Sequence, residues 1–301
     1  MRIIATGLRF PEGPVCLPNG DIALVEIERG TISRVSPDGA VSVIATPGGG
    51  PNGLAIGPGG DLFVCNNGGF MWHEQPGMLR PVGMPDDYSG GRIERVDPGT
   101  GKVHVLYTQC DGHPLCGPND LVFDDQGGFY FTDLGKSRAR TRDHGGVYYA
   151  KADGSAVTCV AYPVLTPNGV GLSPDGRTLY VAETETARLW AFPVEAPGRL
   201  GKLAFPSPHG GRLVCGLPGF QRFDSLAVDA AGNICVATLM SGCVSVVAPD
   251  GGSVHQVPTG DVYTTNICFG GPAMRTAYLT LSAQGALAAM DWPQPGLVLN
   301  H

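Results

Sequence analysis

Six oxygen-bearing side chains recur at the head of six similar stretches of this chain: Glu12, Asn52, Asn119, Asn168, Asp224 and Asn266. Each stands just before an apolar run. Two carboxylates brought close together repel one another, and burial adds the loss of their hydration. A divalent cation relieves both costs. A donor set made only of oxygens suits Ca²⁺, Mg²⁺ or Mn²⁺, and it also accepts Zn²⁺ or Fe²⁺. The His and Cys ligands of an ordinary zinc site are absent from the set. Taken singly, each Asn or Asp is also a common turn former. The recurrence of all six makes the metal reading. Asn52 and Asn266 read either as partners that orient the ligands or as simple caps.

The elements that must position these residues are visible as a repeat. The copies begin FPEGPVCLPNGDIALVEI, GPNGLAIGPGGDLFVCNN, GPNDLVFDDQGGFYFTDL, TPNGVGLSPDGRTLYVAE, RFDSLAVDAAGNICVATL and TTNICFGGPAMRTAYLTL. Each reads as a polar residue, an apolar strand, a turn rich in Asp and Gly, and a second apolar strand. A further strand pair follows, as in GTISRVSPDGAVSVIAT. Four strands per unit at this spacing are a propeller blade. The fold class predicted is all-β: a six-bladed β-propeller of four-stranded antiparallel blades, with residues 1–301 as one domain. MRIIATGL precedes the first copy and the last copy ends near the C-terminus, so the N-terminal strand is expected to complete the final blade and close the ring. Rotational equivalence then points all six polar residues at one place on the axis.

Composition agrees. The 46 Gly and 26 Pro in 301 residues indicate many tight turns, and the 43% hydrophobic content argues against disorder. Net charge is -7 with no Lys/Arg cluster, which excludes a nucleic-acid surface. No apolar run approaches membrane-spanning length, so no membrane role is expected. The opening MRIIATGLRFPEGP lacks the apolar core of a secretory leader. The 9 Cys are scattered without a C-x-x-C pair, as expected for reduced thiols in a cytoplasmic protein. No G-x-S-x-G elbow, phosphate loop or dinucleotide fingerprint occurs.

At these residues the chain resembles the SMP-30/gluconolactonase family. The marks are F-P-E-G-P at 10–14, P-N-D at 118–120, F-T-D at 131–133, P-N-G at 167–169 and F-D-S at 223–225. The resemblance implies a six-bladed propeller that hydrolyses a small lactone, that of a sugar, with one divalent metal ion. It places metal ligands on Glu12, Asn168 and Asp224, with Asn119 as a further ligand or substrate contact, and a general base on Asp224. In the animal members an arginine two residues before the Asn119 position contacts the sugar. Here that place is Gly117, so substrate contacts come from elsewhere.

The candidates for those contacts lie in loops. Asn66 and Asn67 end one strand and are donors for sugar hydroxyls or an ordinary turn. The stretch FMWHEQPGMLRPVGMPDDYSGG reads as too irregular for a strand; it carries Trp72, His73, Arg80 and Tyr88 and is expected as a lid over the propeller face or a plain surface loop. His113 precedes Asn119 and lines the pocket or is solvated. Lys136, Arg138 and His144 read as a solvated polar loop or as contacts for an acidic group of the substrate. The partner expected is a small-molecule lactone, for a monomer or small homo-oligomer. Competing readings are a non-catalytic propeller, serving as interaction platform or calcium buffer, and a phosphotriesterase-like or strictosidine-synthase-like reaction on the same fold. Glu183 and Glu185 would serve the last of these but follow a blade strand.

Overall fold

The computed structural model describes residues 1–300. Six antiparallel sheets follow one another along the chain, at 11–45, 51–107, 118–164, 167–216, 222–258 and 264–291; each has four strands except that at 167–216, which carries the short Arg199–Leu200 as a fifth. They are the blades of a propeller, numbered here in that order. The sixth has only three strands of its own. Arg2–Ala5 supplies the fourth, with Arg2 opposite Ala289 and Ile3 opposite Ala288. The ring is therefore closed by the first strand, as the repeat count predicts.

The innermost strands are Pro11–Cys16, Pro51–Ile56, Pro118–Phe123, Pro167–Leu172, Arg222–Val228 and Thr264–Gly270. Each packs against the innermost strand of the next blade, and the sixth packs against the first. These strands are short, apolar and buried along nearly their whole length. Tight turns follow from the expected chemistry: Gly39 of Pro-Asp-Gly has φ 88°, a value an L side chain rarely adopts. Aromatic side chains fill the wedges between blades. Phe63 of blade 2 meets Phe123 of blade 3 edge-on at 5.0 Å, and Trp190 and Phe192 of blade 4 share a cluster with Tyr130 of blade 3.

One feature repeats in every blade. The innermost strand gains one residue on its neighbour, at Glu12/Val15, Pro51/Leu54, Pro118/Leu121, Pro167/Val170, Phe223/Leu226 and Thr264/Asn266. A β-bulge of this kind bends the strand and re-aims the side chains beside it. In all six blades it falls at the candidate ligand.

The long insertion of blade 2 departs from expectation. Residues Met71–Gln75 and Met78–Gly83 pair as a hairpin, turned by Pro76 and Gly77. The hairpin reaches across the loop-bearing face. Leu79 N–H donates to Ala283 O of blade 6 at 3.1 Å, and Met84 N–H to Ser137 O of blade 3 at 3.1 Å. Arg9, just before blade 1, holds Glu74 at 2.6 Å. Among the described residues no helix is long and apolar enough to cross a membrane, a statement about helical spans alone.

Candidate functional site

All six repeat-head residues are buried, between 3% exposed for Glu12 and 9% for Asp224. Their strands approach closely because small residues stand beside them. A Cβ on Gly169 would lie 2.7 Å from Asp224 O, and one on Gly53 would lie 2.4 Å from Asn119 O. The structure brings Glu12, Asn168 and Asp224 into one electrostatic neighbourhood. Burial, and then repulsion from Glu12, push the Asp224 carboxyl well above the usual range, with the nearby Asn168 side chain opposing the rise. Burial also lifts Glu12 to about 7, opposed by hydrogen bonds from Asn266 and from the Gly13 amide.

The amides are held in distinct ways. Asn266 donates to Glu12 Oε2 at 2.7 Å, which makes it an orienting partner of that carboxylate. Asn168 donates to Thr184 Oγ1 at 3.1 Å, while Ser225 Oγ lies 3.5 Å from its Oδ1. Asn119 Oδ1 is fully buried with no hydrogen-bond partner.

A third carboxylate joins the axis. Asp120 is 7% exposed and is pushed to about 8 by burial and by repulsion from Glu12. Its Oδ1 accepts Leu121 N–H at 3.0 Å, and the nearby Ser225 and Val170 of the next two blades also oppose that rise. It occupies the place taken by Gly13, Gly53 and Gly169 in blades 1, 2 and 4. That substitution of Asp for Gly was the available sequence signal.

These observations fit a divalent cation. Buried, mutually repelling carboxyls and an amide oxygen without a partner are donors of the kind a divalent cation would accept. Among the described residues no three His, Cys, Asp or Glu side chains form a ready cluster by themselves. Amides supply half of the expected donor set.

The entry to four of the six repeat-head residues is fastened from behind. Asp133 Oδ1 and Oδ2 accept the amides of Gly117 and Cys116, each at 2.7 Å, and Oδ1 also accepts Gly135 N–H at 2.9 Å. Glu26 accepts Arg9 N–H at 2.8 Å, Asn66 accepts Gly50 N–H at 2.9 Å, and Glu183 accepts Leu165 N–H at 3.2 Å. In four blades, then, an acceptor at the end of the second strand hooks the segment two or three residues before the ligand. Two of these segments lead into strained residues, Phe10 at φ 55° and Thr166 at φ 48°. The Asp of F-T-D and Glu183 thus have structural work, and none of these latches was read from sequence.

The loop candidates fall in varied places. Trp72 packs against Phe10 at 5.1 Å, within an aromatic cluster that includes Phe70 and Tyr263. The Tyr88 hydroxyl donates to Cys116 O at 2.6 Å, and burial pushes it up to about 12. His73 is exposed on the hairpin, and His113 is exposed in a small hairpin at the edge. Asn66 is fully buried among Gly48, Gly50, Gly68 and Glu94. Asn67 is 1% exposed; its Oδ1 accepts Gly69 N–H and Lys136, while its Nδ2 has no partner.

Lys136 is a correction. It is not solvated but 1% exposed, with Nζ donating to Gly69 O at 2.7 Å and Asn67 Oδ1 at 3.1 Å. It stands 4.1 Å from the Phe70 ring centroid, and burial lowers it to about 7. It pins the base of the hairpin to blade 3. Arg138 is exposed and paired with Asp143 at 2.7 Å, and His144 is exposed.

The fold and site define a propeller with an acidic, amide-lined axis. The family description "SMP-30/Gluconolactonase/LRE-like region" matches residues 10–283, and the chain belongs to that family. It is 27% identical over 300 residues to "Gluconolactonase" of Zymomonas mobilis, covering 90% of this chain and 76% of that one. To "Lactonase drp35" of Staphylococcus saprophyticus it is 31% identical over 260 residues, covering 85% and 72%. Two solved structures share the fold. A gluconolactonase from Xanthomonas campestris superimposes with TM-score 0.74 at 24% identity, covering 98% of this chain and 88% of that one. A calcium-binding protein, regucalcin, from Agrobacterium tumefaciens gives TM-score 0.78 at 20% identity, covering 99% and 96%.

Proposed function

We propose that this chain is a metal-dependent lactonase that opens a sugar lactone to its hydroxy acid. The observation that carries the reading is the burial of Glu12 and Asp224, whose charges repel each other, together with the buried, unpartnered Asn119 Oδ1. The names of its relatives in the same family support lactone hydrolysis. Glu12, Asn119, Asn168 and Asp224 would hold the cation, which, when bound, polarises the lactone carbonyl and stabilises the oxyanion.

The chain's own residues do the remainder. Asp224 takes the proton of the attacking water at its carboxylate oxygen and returns it to the ring oxygen as the C–O bond breaks. Asn168, tied to Thr184, fixes Asp224 in place. Asn266, by donating to Glu12 Oε2, favours its ionised form and would leave its other oxygen for the cation. The hairpin covers part of the mouth and limits the access of water. The 9 Cys are all free, in keeping with the expected cytoplasmic setting. The residues 1–301 act as a single propeller domain in this reading.

The test is a pH-stat assay on a panel of aldonolactones after chelation and reloading with Ca²⁺, Mn²⁺, Zn²⁺, Mg²⁺ or Fe²⁺, with spontaneous opening subtracted. Turnover is expected to vanish on chelation, to return with at least one metal, and to be absent from Asp224→Ala. Full activity in that variant, or no acceleration with any metal, would overturn the reading.

A further inference from the structure

The mouth above the acidic axis carries an excess of guanidinium groups on one side. Arg222 opens the innermost strand of blade 5, two residues before Asp224. The residues two before the ligand in blades 1 to 4 are Phe10, Gly50, Gly117 and Thr166. Arg222 is therefore the one charged residue among these five. Its Nη2 lies 3.1 Å from Glu185, and its guanidinium rests over Phe220 at 5.4 Å. Glu185 also holds Arg142 at 2.9 Å. Two cations thus share one carboxylate, and a positive charge is left over.

The hairpin adds a second guanidinium. Arg80 follows Leu79, whose amide is tied to blade 6 and whose side chain shares a cluster with Tyr263. Arg80 is half-buried and forms no ion pair among the described residues. Tyr263, at the entry to blade 6, lies within electrostatic reach of Arg80, Arg222 and Asp224 together. Glu74, on the facing strand of the same hairpin, is taken up by Arg9, which Glu28 also holds. An anion arriving at this mouth is drawn to the Arg80–Arg222 side.

We infer that the lactone this site takes carries a second, anionic group, held by Arg222 and Arg80 beside Tyr263 while the ring carbonyl lies over Asn119 and Asp224. A planar guanidinium with donors to spare after meeting Glu185 is suited to a carboxylate or a phosphate. This assignment rests on the lactone-opening reading for its chemistry, but the anion subsite is measurable without turnover.

The experiment has two readouts on the metal-loaded protein. Rates are compared for gluconolactone, glucarolactone and phosphogluconolactone, which are neutral, carboxylated and phosphorylated. Binding of gluconate, glucarate and phosphogluconate is measured by calorimetry at low and high salt. A charge-assisted contact implies that one anionic lactone exceeds gluconolactone in kcat/KM by about tenfold or more. The stronger of the two anions identifies the class. The matching doubly charged acid should bind tighter than gluconate, with an advantage that shrinks in salt. In Arg222→Gln and in Arg80→Gln both ratios should collapse toward one, while Arg222→Lys keeps part of them. Equal treatment of neutral and anionic ligands, or ratios that survive both substitutions, overturns the inference. If no lactone is opened yet the binding advantage still depends on Arg222, the subsite stands and the lactonase reading falls.

Discussion

The two ends of the central channel are built from the same six strands and share almost no chemistry. At the loop-bearing end, the first residues of the innermost strands present Glu12, Asn119, Asp120, Asn168 and Asp224. Toward the other end the same strands line a cavity of about 660 Å³ with Val15, Leu17, Ile56, Phe123, Val228 and Phe269. The C-terminal segment, with Leu297 N–H donating to Val228 O at 3.1 Å, lies along its rim. Asp120 and Asn266 sit at the boundary and touch that cavity. The lesson is that chemistry is confined to the bulged first residues of each strand. The rest of the strand has only to fill space, so reaction and stability can be altered separately.

Breaking the polar end should give the largest effect. Glu12→Gln removes a carboxylate from the cage and is expected to cut kcat/KM for the best lactone about a hundredfold or more. Steady-state assay with a circular-dichroism check of folding tests this. A loss below threefold would mean that the acidic end is not where the reaction occurs.

The next effect is on stability. Glu12 and Asp120 titrate at about 7 and about 8 in the folded chain, above ordinary carboxyl values. In the metal-free protein the unfolded chain therefore gives up these protons first, and the native state binds more protons between about pH 4 and pH 8. Stability is present below the unfolded pKa and is lost as pH rises through the folded values, at up to about 1.4 kcal/mol per pH unit per group. Thermal melts of the chelated protein should show Tm falling from pH 5 to pH 8. A saturating divalent cation should flatten that slope. A metal-free Tm that climbs over this range would contradict the burial of these charges.

The latch behind Asn119 gives a smaller effect. Asp133→Ala strands three amide donors and is expected to cost about 2–4 kcal/mol, read by urea unfolding. The apolar end should give the smallest. A chain ending at Gly296 should lose roughly 1 kcal/mol or less and keep kcat/KM within about twofold. A collapse of activity in that truncation would show the two ends to be coupled.

How far the site was legible follows from the bulge. Glu12, Asn168 and Asp224 recur in register with the repeat, so rotational symmetry alone brings them together. Asp120 does not yield to that reasoning, because strict alternation along a strand would send neighbours to opposite faces. The extra residue in each innermost strand lets consecutive positions serve the axis. The latches escape for another reason: Glu26, Asn66, Asp133 and Glu183 end strands in unlike tripeptides, and only their hydrogen bonds make them equivalent. The hairpin was hidden because residues 71–83 carry Pro, Gly and charge in place of alternating apolar residues. Lys136 looked solvated because a lysine amid Arg138, Arg140 and Arg142 gives no sign that an aromatic pocket waits for it.

Arg2–Ala5 completing the last blade has a temporal consequence. Glu12 and Asn266 meet across 254 residues of sequence, so their bond exists only after both the opening and the final blade are in hand. A nascent chain emerging from the ribosome can assemble five blades and still lack the contact that orients Glu12. A cation held there, as proposed, would act as a clasp on the seam between the oldest and youngest parts of the molecule.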